Sequence, residues 1–149
     1  MKQLTEAPTG LELIQAVFDG RLPPPGVATL IGMDGLEAEE GRVVFTLEAN
    51  HTHTNPYGTV HGGILATLLD SAMTCAVQSA LPFGALPTTV ELSVRYVKAV
   101  PPDGRRLRTE GTVIHVGKRL GTAEGRITDD DGTLYATGTT TCMILRDAP

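Results

Sequence analysis

The sequence predicts an α+β fold in which one long helix is wrapped by an antiparallel sheet, with a short helix at the N-terminal end. Three observations carry this. Ile64, Leu65, Leu68, Leu69, Ala72, Ala76 and Val77 recur at helical spacing. Between Glu48 and Glu91 the only Asp, Glu, Lys or Arg is Asp70, whereas a helix with a face in water normally carries several charges. Beyond it, Val90, Leu92, Val94 and Tyr96 alternate with Glu91, Ser93 and Arg95, the period of a half-buried strand.

In chain order, Thr9 and Glu12 form a capping box ahead of Leu11, Leu13, Ile14, Val17 and Phe18, with Gly20 after them, so a short helix belongs there. Residues 21–26 contain Pro23, Pro24 and Pro25 and form a stiff extended connector. The N-terminal helix and connector thus fill residues 1–27 of a single domain spanning 1–149. Residues 28–33 and 42–49 read as two strands around an acidic turn at 37–41, and residues 50–59 as a loop. The long helix is expected over 61–80 and a loop over 81–87. Strands follow near 90–96, 106–116, 120–128 and 134–145, divided by turn signals at 101–104, 117–119 and 129–132.

Composition excludes several classes. With 41% hydrophobic and 19% charged residues the chain can bury a core, and a net charge of -5 without a Lys/Arg-rich run argues against nucleic acid as a partner. No apolar stretch approaches the roughly 20 residues that cross a bilayer. Residues 1–8 lack an apolar signal core, so a cytoplasmic location is expected. Cys75 and Cys142 match no metal spacing and read as buried free thiols. The glycines at 58–63 lack a phosphate-loop pattern, and no G-x-S-x-G elbow exists. His51 and His53 read as solvated loop residues rather than zinc ligands, and His115 as a half-buried strand histidine.

Asp70 is therefore an isolated carboxylate on an apolar rod. Thr67, Thr74 and Gln78 lie at i−3, i+4 and i+8 from it and make a narrow polar stripe. A structural alternative has Asp70 capping a helix or pairing with an arginine of a later strand. A poorly solvated carboxylate is what acid–base or nucleophilic chemistry uses. Gly62 and Gly63 weaken the head of the helix, which makes sense where a ligand approaches its free N–H groups; these, with the helix dipole, suit a carbonyl oxygen that turns negative.

Asn55-Pro56-x-Gly58-x-x-His61-Gly62-Gly63, followed by Asp70, resembles the signature of hotdog-fold acyl-CoA thioesterases of the phenylacetic-acid-degradation (PaaI-type) group. The resemblance spans roughly residues 29–145 and implies a hotdog fold, a long helix in a curled antiparallel sheet. It implies that Asp70 is the catalytic carboxylate, as nucleophile or general base, and that the Gly62 N–H polarises the thioester carbonyl with Gly63 beside it. By the same resemblance His61 orients the helix entry. Asn55 holds the attacking water or thioester across a dimer interface from the Asp, Thr74 contacts the carboxylate or substrate, and Thr89, or Thr88 one residue out of register, does so from the central strand. Sister groups carry Glu as the acid, so Asp70 points to the PaaI side.

The turn holding Lys118 and Arg119 resembles the one that meets the CoA nucleotide in this fold, with Arg105, Arg106 and Arg108 as competing anchors. The expected activity is hydrolysis of an acyl-CoA to free acid and CoA, with no metal or organic cofactor and no membrane partner. A homodimer, pairing further into a homotetramer, is the expected assembly. A hotdog hydratase or dehydratase and a non-catalytic acyl-CoA-binding protein are the alternatives. Cys75, next to Thr74 but turned about 100° from it around the helix, reads as core rather than nucleophile.

Overall fold

A computed structural model describes residues 8–146. Thr9 caps α1 (Gly10–Phe18): its hydroxyl accepts from the Glu12 N–H at 3.3 Å, and the Glu12 carboxylate accepts from the Thr9 N–H at 2.7 Å. The next segment departs from the expected strand at 28–33. It forms a short helix, α2 (Gly26–Ile31), begun by Pro25 and stopped by Gly32 at φ 75°, and strand β1 starts only at Met33. Pro before a helix supplies a fixed φ, and a left-handed glycine ends one; the two signals outweigh the β-branched run between them. Strand β1 (Met33–Glu39) also runs through most of the expected acidic turn, which shrinks to the residues joining it to β2 (Arg42–Glu48).

A 3₁₀ turn (His51–His53), helix α3 (Gly62–Ser79) and strands β3 (Ala85–Tyr96), β4 (Arg106–Val116), β5 (Leu120–Asp129) and β6 (Leu134–Arg146) complete the chain. The six strands form one antiparallel sheet in the order β1-β2-β4-β5-β6-β3. Among the described residues no helix is long and apolar enough to cross a membrane.

Helix α3 lies on the sheet, with Leu68, Leu69, Ala72, Met73, Ala76 and Val77 fully buried against Val43, Leu47, Leu107, Ala123, Ile127 and Cys142. Its opposite flank, with Ala66, Thr67, Asp70, Ser71 and Thr74, is only half-buried, so one chain covers the helix on one side rather than wrapping it. The closest approach is at Gly111 of β4, where a Cβ would lie 2.4 Å from the Ala72 carbonyl. Backbone cannot yield as a side-chain tip can. Gly111→Ala should therefore cost about 3 kcal/mol and lower the melting temperature by roughly 6 to 12 °C, as differential scanning calorimetry would read; an unchanged melting curve would contradict this packing.

Several expected surroundings change. His53 is buried rather than solvated: its Nε2 donates to the Ile31 carbonyl at 2.7 Å and its Nδ1 accepts from the Asn50 N–H at 3.2 Å, tying the end of α2 to the 3₁₀ turn. His51 stays exposed, so the two rings share no face. His115 sits beside an irregularity in the β4–β5 pairing and is exposed rather than half-buried. Both cysteines are free thiols, Cys142 buried and Cys75 only half-buried.

Strand β3 starts at Ala85, earlier than the alternation suggested, and is an edge of this chain's sheet rather than its centre. It pairs with β6 along one side; the other side carries no strand among the described residues. A bulge between Thr89 and Glu91 leaves Val90 without a partner on β6 and 53% exposed. The alternation had placed Val90 with Leu92. The extra residue reverses the parity instead, so Thr89 faces α3 as Leu92 does.

Candidate active site

Helical geometry sets the first half of the site. Asp70 sits mid-helix on the half-buried flank, and Thr74 one turn later comes within 3.4 Å of its Oδ1. From β3 the Thr89 hydroxyl donates to the same oxygen at 2.7 Å, and the two hydroxyls are 3.0 Å apart. The bulge is what makes this contact, since without it Thr89 would point to the other face. Thr88 does point there, exposed and paired with Met143, so of the two threonines only Thr89 reaches the carboxylate. Asp70 Oδ2 carries no hydrogen bond, and no cation pairs with the carboxylate, among the described residues. The group is held by one oxygen and offers the other.

Cys75 is no rival nucleophile. Burial, aided by the nearby Asp70 charge, pushes its thiol up to about 12, so it stays protonated at neutral pH. Cys142 Sγ is buried and lies 3.8 Å from the Thr74 hydroxyl.

The second half lies at the head of α3. His61 is the N-cap residue, and its Nδ1 accepts from the Gly63 N–H at 2.8 Å. The Gly63 N–H is thus spent within the chain, while that of Gly62 has no partner among the described residues. The glycine pair has a packing cause that the sequence did not reveal: a Cβ on Gly62 would meet the Tyr96 phenol at 2.9 Å, and one on Gly63 would meet His61 Nδ1 at 3.0 Å. Asn55 is committed to its own loop, its Oδ1 accepting from Tyr57 and Thr59 N–H at 2.9 and 3.2 Å and its Nδ2 donating to the Thr59 hydroxyl at 2.9 Å. It makes no contact with Asp70 within the chain.

Tyr96 is the site residue that sequence reasoning missed. Its hydroxyl donates to the Gly62 carbonyl at 2.7 Å. The signal was present, because Tyr96 has the parity of Leu92 and Val94, the strand positions turned toward α3.

The halves do not meet in one chain. Gly62 and Asp70 are eight residues apart on a continuous helix, so about 12 Å separates them along its axis, too far for both to act on one carbonyl. A cleft of about 550 Å³ does not hold them either. It lies on the outer sheet face, where Arg95 and Arg126 are balanced by Glu110 and Glu124.

At the far end of the sheet, the turn between β4 and β5 exposes Lys118 and Arg119, neither in an ion pair among the described residues. Two of the competing arginines are engaged. Arg105 pairs with Asp103 at 2.6 Å, a contact that lowers Asp103 to about 2, and also bonds the Tyr135 hydroxyl; Arg108 bridges Glu37 and Glu110 at 3.3 and 3.1 Å. Arg106 remains exposed.

The chain and its fold have counterparts among known proteins. The model of the thioesterase superfamily matches residues 57–136, more than half of the chain. Acyl-coenzyme A thioesterase 13 of Mus musculus is 29% identical over 69% of this chain and 73% of its own length. The crystal structure of a phenylacetic acid degradation-related protein from Ralstonia eutropha, 27% identical, superposes with a TM-score of 0.79 over 87% of this chain and 98% of the other. A Streptococcus mutans protein solved with acetyl-CoA bound, 26% identical, does so with a TM-score of 0.71 over 78% and 91%.

Proposed function

The chain belongs to the thioesterase superfamily, and from that footing we propose that it hydrolyses acyl-CoA thioesters to a free acid and CoA, with Asp70 as nucleophile or general base. The observation that carries the reading is the Asp70 carboxylate, fixed through Oδ1 by Thr89 and unpaired at Oδ2. The Mus musculus relative is named for acyl-CoA hydrolysis and the Streptococcus mutans structure holds a CoA ester, which supports the substrate class. In the proposed reaction Oδ2 attacks the thioester carbonyl or takes a proton from an attacking water. The Gly62 N–H stabilises the oxyanion, and collapse breaks the C–S bond and expels CoA thiolate. In the general-base route the proton held by Asp70 passes to that thiolate, and in the nucleophilic route water then hydrolyses the acyl–Asp70 anhydride to free acid and restores the carboxylate. A positioned base contributes about 10² to 10⁴-fold, and one oxyanion donor about 2.7 to 4 kcal/mol.

Because Gly62 and Asp70 are too far apart in one chain, the reading requires a second copy. A two-fold partner with its α3 antiparallel would set its Gly62 and Asn55 opposite this chain's Asp70, and the unpaired edge of β3 offers the backbone groups for such a union. A free-thiol assay over aromatic, short-chain and long-chain acyl-CoAs tests the activity. Thiol release with kcat/KM rising for one class is expected; a hydratase would transform the acyl chain without releasing thiol, a binding protein would bind without turnover, and either outcome rejects hydrolysis.

The CoA nucleotide carries several phosphate charges, and an acidic chain must meet them with local cations. Lys118 and Arg119 supply two. Gly121, the second residue of β5 after their turn, pairs with Cys142, which pairs with Thr89, so the turn lies near the row of strands that ends at Asp70's partner. A phosphate contact acts about equally on ground and transition states, so Lys118→Ala with Arg119→Ala should raise KM for acyl-CoA about 5- to 10-fold with kcat within about twofold. The effect should shrink for a pantetheine thioester and weaken with salt. An unchanged KM would move the anchor to Arg106.

A further inference from the structure

We propose that Tyr96 is a positioning residue that fixes the Gly62–Gly63 peptide and, through the Gly62 Cα, the adjoining N–H of Gly62 that polarises the thioester carbonyl, an inference that rests on the hydrolase reading above. Gly62 opens α3, where first-turn N–H groups have no intrahelical partner, and glycine itself imposes little on backbone conformation. The helix engages the Gly62 carbonyl but gives its N–H no partner, so further support for the residue comes from outside the helix. The structure supplies two holds. Both act on the peptide that joins Gly62 to Gly63: His61 Nδ1 takes its N–H at 2.8 Å, and the Tyr96 hydroxyl donates to its carbonyl at 2.7 Å. The Gly62 N–H, on the adjoining peptide across the Gly62 Cα, has no partner among the described residues.

The phenol belongs to a residue that is 52% exposed, and it is tied at its tip to Gly62. It occupies the space a side chain at 62 would need, with Cζ, Oη and Cε1 at 2.9, 3.0 and 3.3 Å from an ideal Cβ. Just after it, the N–H groups of Val97 and Lys98 donate to the Tyr135 carbonyl at 2.8 and 3.2 Å, and Tyr135 is fully buried. The end of β3 is therefore anchored to β6 where the ring leaves it. The single Tyr96 hydroxyl proton is spent on the Gly62 carbonyl, so Tyr96 acts through Gly62 rather than on the substrate.

Tyr96→Phe keeps the ring and removes only this bond. Losing an oxyanion donor outright costs about 10² to 10³-fold in kcat, so loosening one should lower kcat about 5- to 20-fold, with KM within about twofold and the melting temperature unchanged. Gly62→Ala, whose methyl displaces the phenol, should already carry this loss. Adding Tyr96→Phe to it should then cost less than about twofold more, where independent sites would multiply. NMR relaxation gives a readout free of activity: the Gly62 and Gly63 amide order parameters should fall from about 0.85 toward about 0.6 in Tyr96→Phe. Full kcat in Tyr96→Phe, multiplicative losses in the double variant, or unchanged order parameters would each overturn the proposal. If wild type releases thiol and Asp70→Asn does not, such a result leaves the hydrolase reading standing; if wild type releases none, that reading fails while the relaxation measurement still decides whether Tyr96 orders Gly62.

Discussion

Asp70→Asn should keep the fold and lower kcat by at least about 10²-fold, with KM little changed. The amide is nearly isosteric, and its oxygen can still accept from the Thr89 hydroxyl now 2.7 Å from Oδ1, so the local geometry has reason to persist. What is lost is the free Oδ2, the atom that would attack or take a proton, because an amide does neither at neutral pH. Steady-state kinetics beside a thermal melt measure this directly. Near-normal turnover by a folded Asp70→Asn protein would remove Asp70 from the chemistry and leave the carboxylate a structural partner of Thr74 and Thr89.

Mixing two dead variants should restore activity. If a site combines Asn55 and Gly62 of one chain with Asp70 of another, a dimer of an Asn55→Ala chain and an Asp70→Asn chain contains one site with both wild-type residues and one with neither. Random exchange makes half the dimers mixed, so the mixture should recover about a quarter of wild-type activity from nearly inactive parents. The 12 Å rise between Gly62 and Asp70 is the reason to expect it. An activity no greater than the sum of the parents, in a mixture shown by mass spectrometry to contain heterodimers, would place a complete site within each chain. An active monomer at micromolar concentration, seen by analytical ultracentrifugation, would contradict the shared site independently.

Local signals made much of the architecture legible. The ends of α3 followed from where its apolar repeat begins and stops, with His61 and Ala80 observed as its caps, and β4, β5 and β6 followed from turn residues that cannot continue a strand. Asp70 stood out because a single charge on an apolar helix is expensive unless used.

What tertiary structure alone decided was where side chains point once neighbours compete. The strand expected at residues 28–33 is a different case, a conflict of local signals in which Pro25 and Gly32 outweigh an apolar β-branched run that suits either element. His53 became a buried link because the end of α2 presents the Ile31 carbonyl to it. Most consequential was the bulge in β3, which no alternation can announce. It depends on how β3 pairs with β6, and one extra residue turned Thr89 onto Asp70 and Val90 away. The sequence by itself determined the long helix, the last three strands, the isolated carboxylate and the helix head, all set within a few residues. The facing of Thr89, the clamp of Tyr96 on Gly62 and the closeness of Gly111 to Ala72 were decided only by packing between segments distant in sequence, where a shift of one residue changes which face of the sheet a side chain occupies.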